Sequence, residues 1–245
     1  MSTVLPSAAM ESTGTDPPAP PSTAYPLQLD ATLDEPLSRW LWLVKWLLLI
    51  PHCLVLLVLY VGYLVVTVIA FVAILTTGRY PRWAFDYTGG VLRWSWRVQY
   101  YGYSALATDR YPPFTLADVP DYPARLTISY PEHPSRGKAL VQWWLLPIPH
   151  FLILAILLGS QPSTGDGGWE QGTSVPGLIG LLAFFAGIAL LFTASYPRGL
   201  WRFVVGLNGW VFRVIAYASL LTDRYPPFRL DQGGRERENG IEPPG

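Results

Sequence analysis

The sequence Thr-Asp-Arg-Tyr-Pro-Pro-Phe occupies residues 108–114 and returns unchanged at 222–228. Four more landmarks recur in the same order. Tyr25-Pro26 returns as Tyr122-Pro123, and Ser38-Arg39 as Ser135-Arg136. Ile50-Pro51-His52 returns as Ile148-Pro149-His150, and Tyr80-Pro81-Arg82 as Tyr196-Pro197-Arg198. Self-similarity at this level means one structural unit used twice, so any fold must accommodate two copies of one element order. The copies run over 25–116 and 122–230, flanked by Ser-, Pro- and Gly-rich stretches at 1–24 and 231–245 that read as disordered tails.

The spacing between copies is uneven. It is 98 residues at Ile-Pro-His and 116 at Tyr-Pro-Arg, so the second copy carries 18 extra residues between those landmarks. They are the polar stretch 159–176, which hydrocarbon cannot accept. Its place in the first copy is 60–62, in the middle of a 37-residue apolar run, Leu41–Thr77. That run is nearly twice the ~20 residues that span a bilayer. A turn at 60–62 would divide it into a hairpin. The expectation is therefore helices near 40–59 and 62–77 in copy one, and near 139–158 and 177–195 in copy two.

Charge sets the orientation. Only 14% of residues are charged, against the ~25% usual for soluble domains, and 51% are hydrophobic. Net charge is zero, which argues against a nucleic-acid partner. With four spans, the loops at 60–62 and 159–176 face outward and contain no Lys or Arg; all 17 basic residues then lie on the other, cytoplasmic side. A multi-pass protein of the cytoplasmic membrane, with both termini inside, follows.

A third helix in each copy, near 83–107 and 201–221, is amphipathic. Asp86, Gly90, Arg93 and Arg97 form one stripe; Arg202, Gly206, Gly209 and Arg213 form its counterpart. A narrow basic stripe on a Trp-rich helix suits the headgroup plane; the rival is a buried crossing helix with inward arginines. Residues 27–33 and 124–130 alternate apolar and polar with period two, which predicts a small cytoplasmic β element built by both copies. Phe114 to Leu116 and Phe228 to Leu230 are candidate short edges. The fold class is thus an all-α membrane protein: two tandem helical hairpins, each with an interfacial helix, plus a small sheet.

Residues 45–52 (Lys-Trp-Leu-Leu-Leu-Ile-Pro-His), 78–82 (Gly-Arg-Tyr-Pro-Arg) and the Thr-Asp-Arg-Tyr-Pro-Pro-Phe heptads resemble a family of bacterial membrane proteins catalogued only as a domain of unknown function. The resemblance covers about 25–230 and brings no activity with it. The second copy departs from the pattern: Gln142 stands near the place of the lysine, and Ala194-Ser195 replaces Gly-Arg.

Candidate site residues are few. His52 and His150 each follow a proline in an apolar helix. Facing each other, two imidazoles can hold haem iron; the plainer reading is that each helps satisfy a kinked helix, because the prolines free the carbonyls of Leu47 and Leu145. Asp109-Arg110 and Asp223-Arg224 close the third helices, and their carboxylates are expected to anchor to Arg97 and Arg213. The basic residues Arg39, Lys45, Arg79, Arg136, Lys138 and Arg198 suit anionic lipid headgroups. The single cysteine, Cys53, allows no intrachain disulfide. No catalytic or metal-binding motif stands in the sequence, and no cofactor is expected. The expected role is a non-enzymatic scaffold or accessory subunit with a protein partner or self-association. The alternatives are a small oligomeric transporter or channel, and a redox subunit using the two histidines.

Overall fold

The computed structural model describes residues 25–38, 40–142, 157–158, 177–193, 196–228 and 230. Both expected tails, His150 and the stretch 159–176 lie outside them. The elements are β1 (Leu27–Ala31), α1 (Leu41–Thr77), α2 (Arg82–Tyr101), β2 (Ala124–Ile128), α3 (Arg136–Gln142), α4 (Leu178–Thr193) and α5 (Arg198–Ala218). The protein is mostly helical with one two-stranded sheet, as its periodicities predict.

The first hairpin is not formed. Leu41–Thr77 is one unbroken helix, about 55 Å long at 1.5 Å per residue. The insertion in the second copy points to a turn at 60–62, but nothing at Tyr60, Val61 and Gly62 breaks a helix. Gly62 serves another purpose: a side chain there would run into the Tyr87 hydroxyl of α2. It is a close-approach glycine, not a turn glycine. The helix ends where Gly78 takes φ 72°, and its N–H caps the Ile74 carbonyl. α1 is the one described helix long and apolar enough to cross a membrane. Only 22% of its most apolar window is buried, so most of that apolar surface is uncovered. Four membrane-spanning helices are not seen among the described residues; α4, the counterpart of the second half of α1, has 16 residues.

The sheet displays the repeat as symmetry. β1 and β2 pair antiparallel with Leu29 opposite Leu126, Leu27 opposite Ile128 and Ala31 opposite Ala124. Leu29 and Leu126 are equivalent positions of the two copies. Exchanging the copies therefore maps the ladder onto itself. Leu27, Leu29 and Ala31 are buried together with Ala124, Leu126 and Ile128. Both strands thus turn the same apolar face inward, and the local two-fold axis stands normal to the sheet.

Beneath the sheet lie α2 and α5, the most buried helices. Trp96 of α2 meets Phe212 of α5 with ring centroids 5.7 Å apart, both 0% exposed. On the sheet side of α2, Phe85 packs on Tyr130, and the Tyr100 hydroxyl donates to the Thr32 carbonyl. The opposite stripe (Tyr87, Trp94, Val98, Tyr101) faces α1. Tyr87 donates to the Leu59 carbonyl, and Gly102 receives Leu49 where any Cβ would clash.

The arginine stripe of the third helices is therefore not solvated along its length. Arg97 and Arg213 are 2% and 3% exposed. Arg97 donates to the carbonyls of Ala117 and Thr115, and Gly90 and Gly206 lie against Leu116 and Leu230. The stripe is the bed on which each copy's exit segment lies. The residues after the Pro-Pro-Phe runs, expected as short edge strands, form no strand among the described residues.

Candidate functional site

The repeated heptads build the most polar buried region. After α2 the backbone turns through Leu106 at φ 53°, and after α5 through Leu220 at φ 63°, the same position in each copy. Positive φ is uncommon for leucine. Here the turned residue plants its side chain in the core, 2% and 3% exposed, and delivers the Thr-Asp-Arg run back towards the start of the copy's first helix.

In copy one that run meets Lys45. The Lys45 ammonium is fully buried, donates to the Thr108 carbonyl at 2.6 Å and pairs with the Asp109 carboxylate at 2.9 Å. Asp109 also accepts the Ser38 N–H at 2.6 Å. The expected anchor of Asp109, Arg97, is occupied with exit-segment carbonyls. In copy two, Gln142 takes over: its amide donates to the carbonyls of Tyr217 and Thr222 at 2.7 and 2.6 Å. Thr222 is the equivalent of Thr108, so Gln142 is the true structural counterpart of Lys45. The amide makes the helix-to-exit bond without a charge. Asp223 reaches Lys138 at 3.6 Å on the surface, where Asp109 has the buried Lys45. Arg213 lies over the ring of Tyr25 at 5.9 Å.

The copies are stitched crosswise. The Tyr122 hydroxyl donates to the Arg110 carbonyl at 3.0 Å, and its counterpart Tyr25 donates to the Arg224 carbonyl at 2.9 Å, 199 residues away. Each tyrosine beginning one copy thus fastens the heptad of the other. Burial pushes both phenols above their usual range, with Arg213 opposing at Tyr25 and Arg97 opposing at Tyr122. Asp34 adds to the first seam by accepting from the Thr108 hydroxyl at 2.6 Å and facing Arg110 at 3.7 Å. Its counterpart is Pro131. There the second seam opens into a cleft of about 300 Å³ bordered by Tyr25, Gln28, Thr222, Asp223 and Arg224. A second cleft, about 320 Å³, lies between Glu35, Arg198, Trp201 and Arg202. At the sheet margin, Arg125 donates to Asp118 at 2.6 Å, which holds that carboxyl below the usual range.

His52 sits in an aromatic box. Its ring stacks on Phe114 at 3.8 Å and meets Tyr111 at 4.9 Å, and the Trp94 indole donates to its Nδ1 at 3.1 Å. That bond places the imidazole proton on Nε2, which is buried and finds no acceptor among the described residues. The Tyr111 hydroxyl donates to the Leu48 carbonyl, beside the one Pro51 frees. The structure thus surrounds His52 with its own copy's helix α2 and heptad. No group of three or more His, Cys, Asp or Glu that could hold a metal occurs among the described residues.

Of the remaining candidates, Asp86, Arg93, Arg110, Arg202 and Arg224 lie at the rim of this framework, while Arg39 lies outside the described residues. Sequence reasoning missed Tyr25, Tyr122 and Asp34. The first two are visible as a repeated Tyr-Pro, but a bond spanning 199 residues leaves no local trace.

A family model described as a domain of unknown function, DUF4389, matches residues 39–115 and 175–229, more than half of the chain. The chain belongs to the DUF4389 family. The first match covers α1, α2 and the first heptad; the second covers α4, α5 and the second heptad, resuming where the insertion ends. Two DUF4389 segments in sequence order agree with the internal repeat, and β1, β2 and α3 fall outside both. No curated protein and no solved structure matches the chain.

Proposed function

We propose that this DUF4389 chain is a non-enzymatic membrane scaffold or accessory subunit of the cytoplasmic membrane, with both termini on the cytoplasmic side. The observation that carries the reading is the outer face of α1. From Leu43 to Val72 it exposes Leu, Val, Ile and Trp side chains without one charge. A continuous apolar face of this length marks a membrane or protein contact.

The chemistry beneath that face supports scaffolding over catalysis or transport. Lys45, Gln142, Arg97 and Thr67 each donate to backbone carbonyls. Tyr63 bridges the copies by its hydrogen bond to Ser219. The first four fix each copy's own helices and exit segment, and Tyr63 ties the copies to each other. The exposed Arg79, Arg136 and Arg198 are placed to meet anionic headgroups.

Isolation of the tagged protein from its native membrane in mild detergent, with mass spectrometry of what accompanies it, tests the reading. A stoichiometric protein partner is the expected result. A partner-free preparation that moves a solute across reconstituted vesicles would replace the scaffold with a transporter. A coloured preparation whose band disappears in His52→Ala would replace it with a redox subunit.

A further inference from the structure

The layering of the molecule bears on how it meets the bilayer. α1 packs on one stripe of α2, and the sheet packs on the opposite stripe. The contacts follow α2 along its length. Lys45 and Leu49 of α1 meet Tyr101 and Gly102, while Leu59 and Gly62 meet Tyr87. On the other side, Thr32 meets Tyr100 and Tyr130 meets Phe85. Helix α1, helix α2 and the strands therefore run side by side, in the order α1, α2, sheet. Because the local two-fold is normal to the sheet, α5 joins α2 in the middle layer.

We infer that α1 does not pierce the bilayer but lies flat within one leaflet, its outer face in hydrocarbon and the sheet turned to water. This refines the membrane reading above and rests on it. Three observations support it. First, an upright α1 would carry the sheet to its own depth, about two layer spacings of 10 Å aside. The outward Asp30, Arg125 and Thr127 would then stand in lipid beside an open sheet, which hydrocarbon does not tolerate. Second, a helix of about 55 Å exceeds the ~30 Å hydrocarbon core, whereas a helix ~10 Å across lying flat fits one leaflet. Third, basic residues flank both ends of α1: Arg110, held there between Asp109 and Tyr111, at one, and Arg79 and Arg82 at the other. An upright helix would place a basic cluster on each side of the membrane, against the positive-inside rule. Lying flat keeps them on one side.

The depth of α1 decides the matter. In a Cys53→Ala background, single nitroxide-bearing cysteines replace Leu47, Val58 and Val68, exposed positions along α1. In phosphatidylethanolamine–phosphatidylglycerol vesicles, oxygen and nickel accessibility give the depth of each. The inference expects depths equal to within about one helix radius, ~5 Å. Depths that run through the bilayer over the ~30 Å separating residues 47 and 68 would overturn it. Single cysteines at Ser38 and Arg79, on either side of α1, give an independent readout with an impermeant maleimide. Labelling of both only in inside-out vesicles is expected; labelling of Arg79→Cys in intact cells would show a crossing. Release of the protein by carbonate wash would instead remove the membrane reading itself.

Discussion

Lys45 and Gln142 perform one task with different chemistry, and the difference has measurable consequences. Lys45 is an ammonium removed from water, compensated by Asp109 and by the Thr108 carbonyl. Removing one partner of a buried pair costs about 3–5 kcal/mol, because the other charge is stranded. Asp109 is 28% exposed, so Asp109→Ala is expected near the lower end of that range. Asp223→Ala breaks only a surface pair with Lys138 and should cost under about 1 kcal/mol. Thermal melting of the two variants in detergent measures the difference, and equal losses would refute the asymmetry. Lys45→Gln should rescue Asp109→Ala, because the amide reproduces what Gln142 already does in copy two. At His52, Trp94→Phe removes the donor to Nδ1 and leaves a buried acceptor unpaired, at a cost of about 1–3 kcal/mol.

At the scale of elements, α2 and α5 owe their place to small residues where the exit segments cross. Gly90 and Gly206 occupy equivalent positions, and a Cβ on either would strike Leu116 or Leu230. At Gly206 the obstacle is the Leu230 carbonyl itself, a backbone atom that cannot rotate away. Gly206→Ala is therefore expected to lift the second exit segment off α5 and cost about 1–3 kcal/mol, the range for overpacking. Protease sensitivity after Phe228 reads this directly; an unchanged digestion pattern would show that the segment is held elsewhere. Gly209, on the same stripe, meets no atom of the described residues within 4 Å of where a Cβ would stand, and Gly209→Ala should cost less than Gly206→Ala.

At the scale of the whole molecule, the seams between copies determine cohesion. Tyr25 and Tyr122 tie each copy's start to the other's heptad, and burial raises both phenols. A group whose folded pKa lies above its unfolded value stabilises the fold while protonated. The contribution is complete below the ordinary phenol value of ~10 and is lost as pH rises towards the raised one. The protein should accordingly unfold in alkali, with the seams opening. Tyr25→Phe with Tyr122→Phe should lose about 1 kcal/mol per bond at neutral pH yet flatten the alkaline limb, as followed by circular dichroism. An alkaline limb as steep as in the parent protein would place the labile groups elsewhere.

The sequence alone determined that the chain is a duplicated helical unit with a strand at the head of each copy. Landmarks repeated in order and alternation of period two are local signals, legible without a fold. It also carried the family resemblance and the substitution of Gln142 for lysine. Only the tertiary structure decided how the 37-residue apolar run is used. Hydropathy measures how far a segment avoids water, and an unbroken helix and a hairpin avoid it equally. Tertiary packing likewise decided the fate of the arginine stripe: periodicity shows that Arg93 and Arg97 share a face, but not that the segment at 115–118 covers it. The crosswise bonds of Tyr25 and Tyr122 were beyond reach for the same reason. A contact between chain positions 199 apart is made by closing the whole fold, and no stretch of sequence contains it.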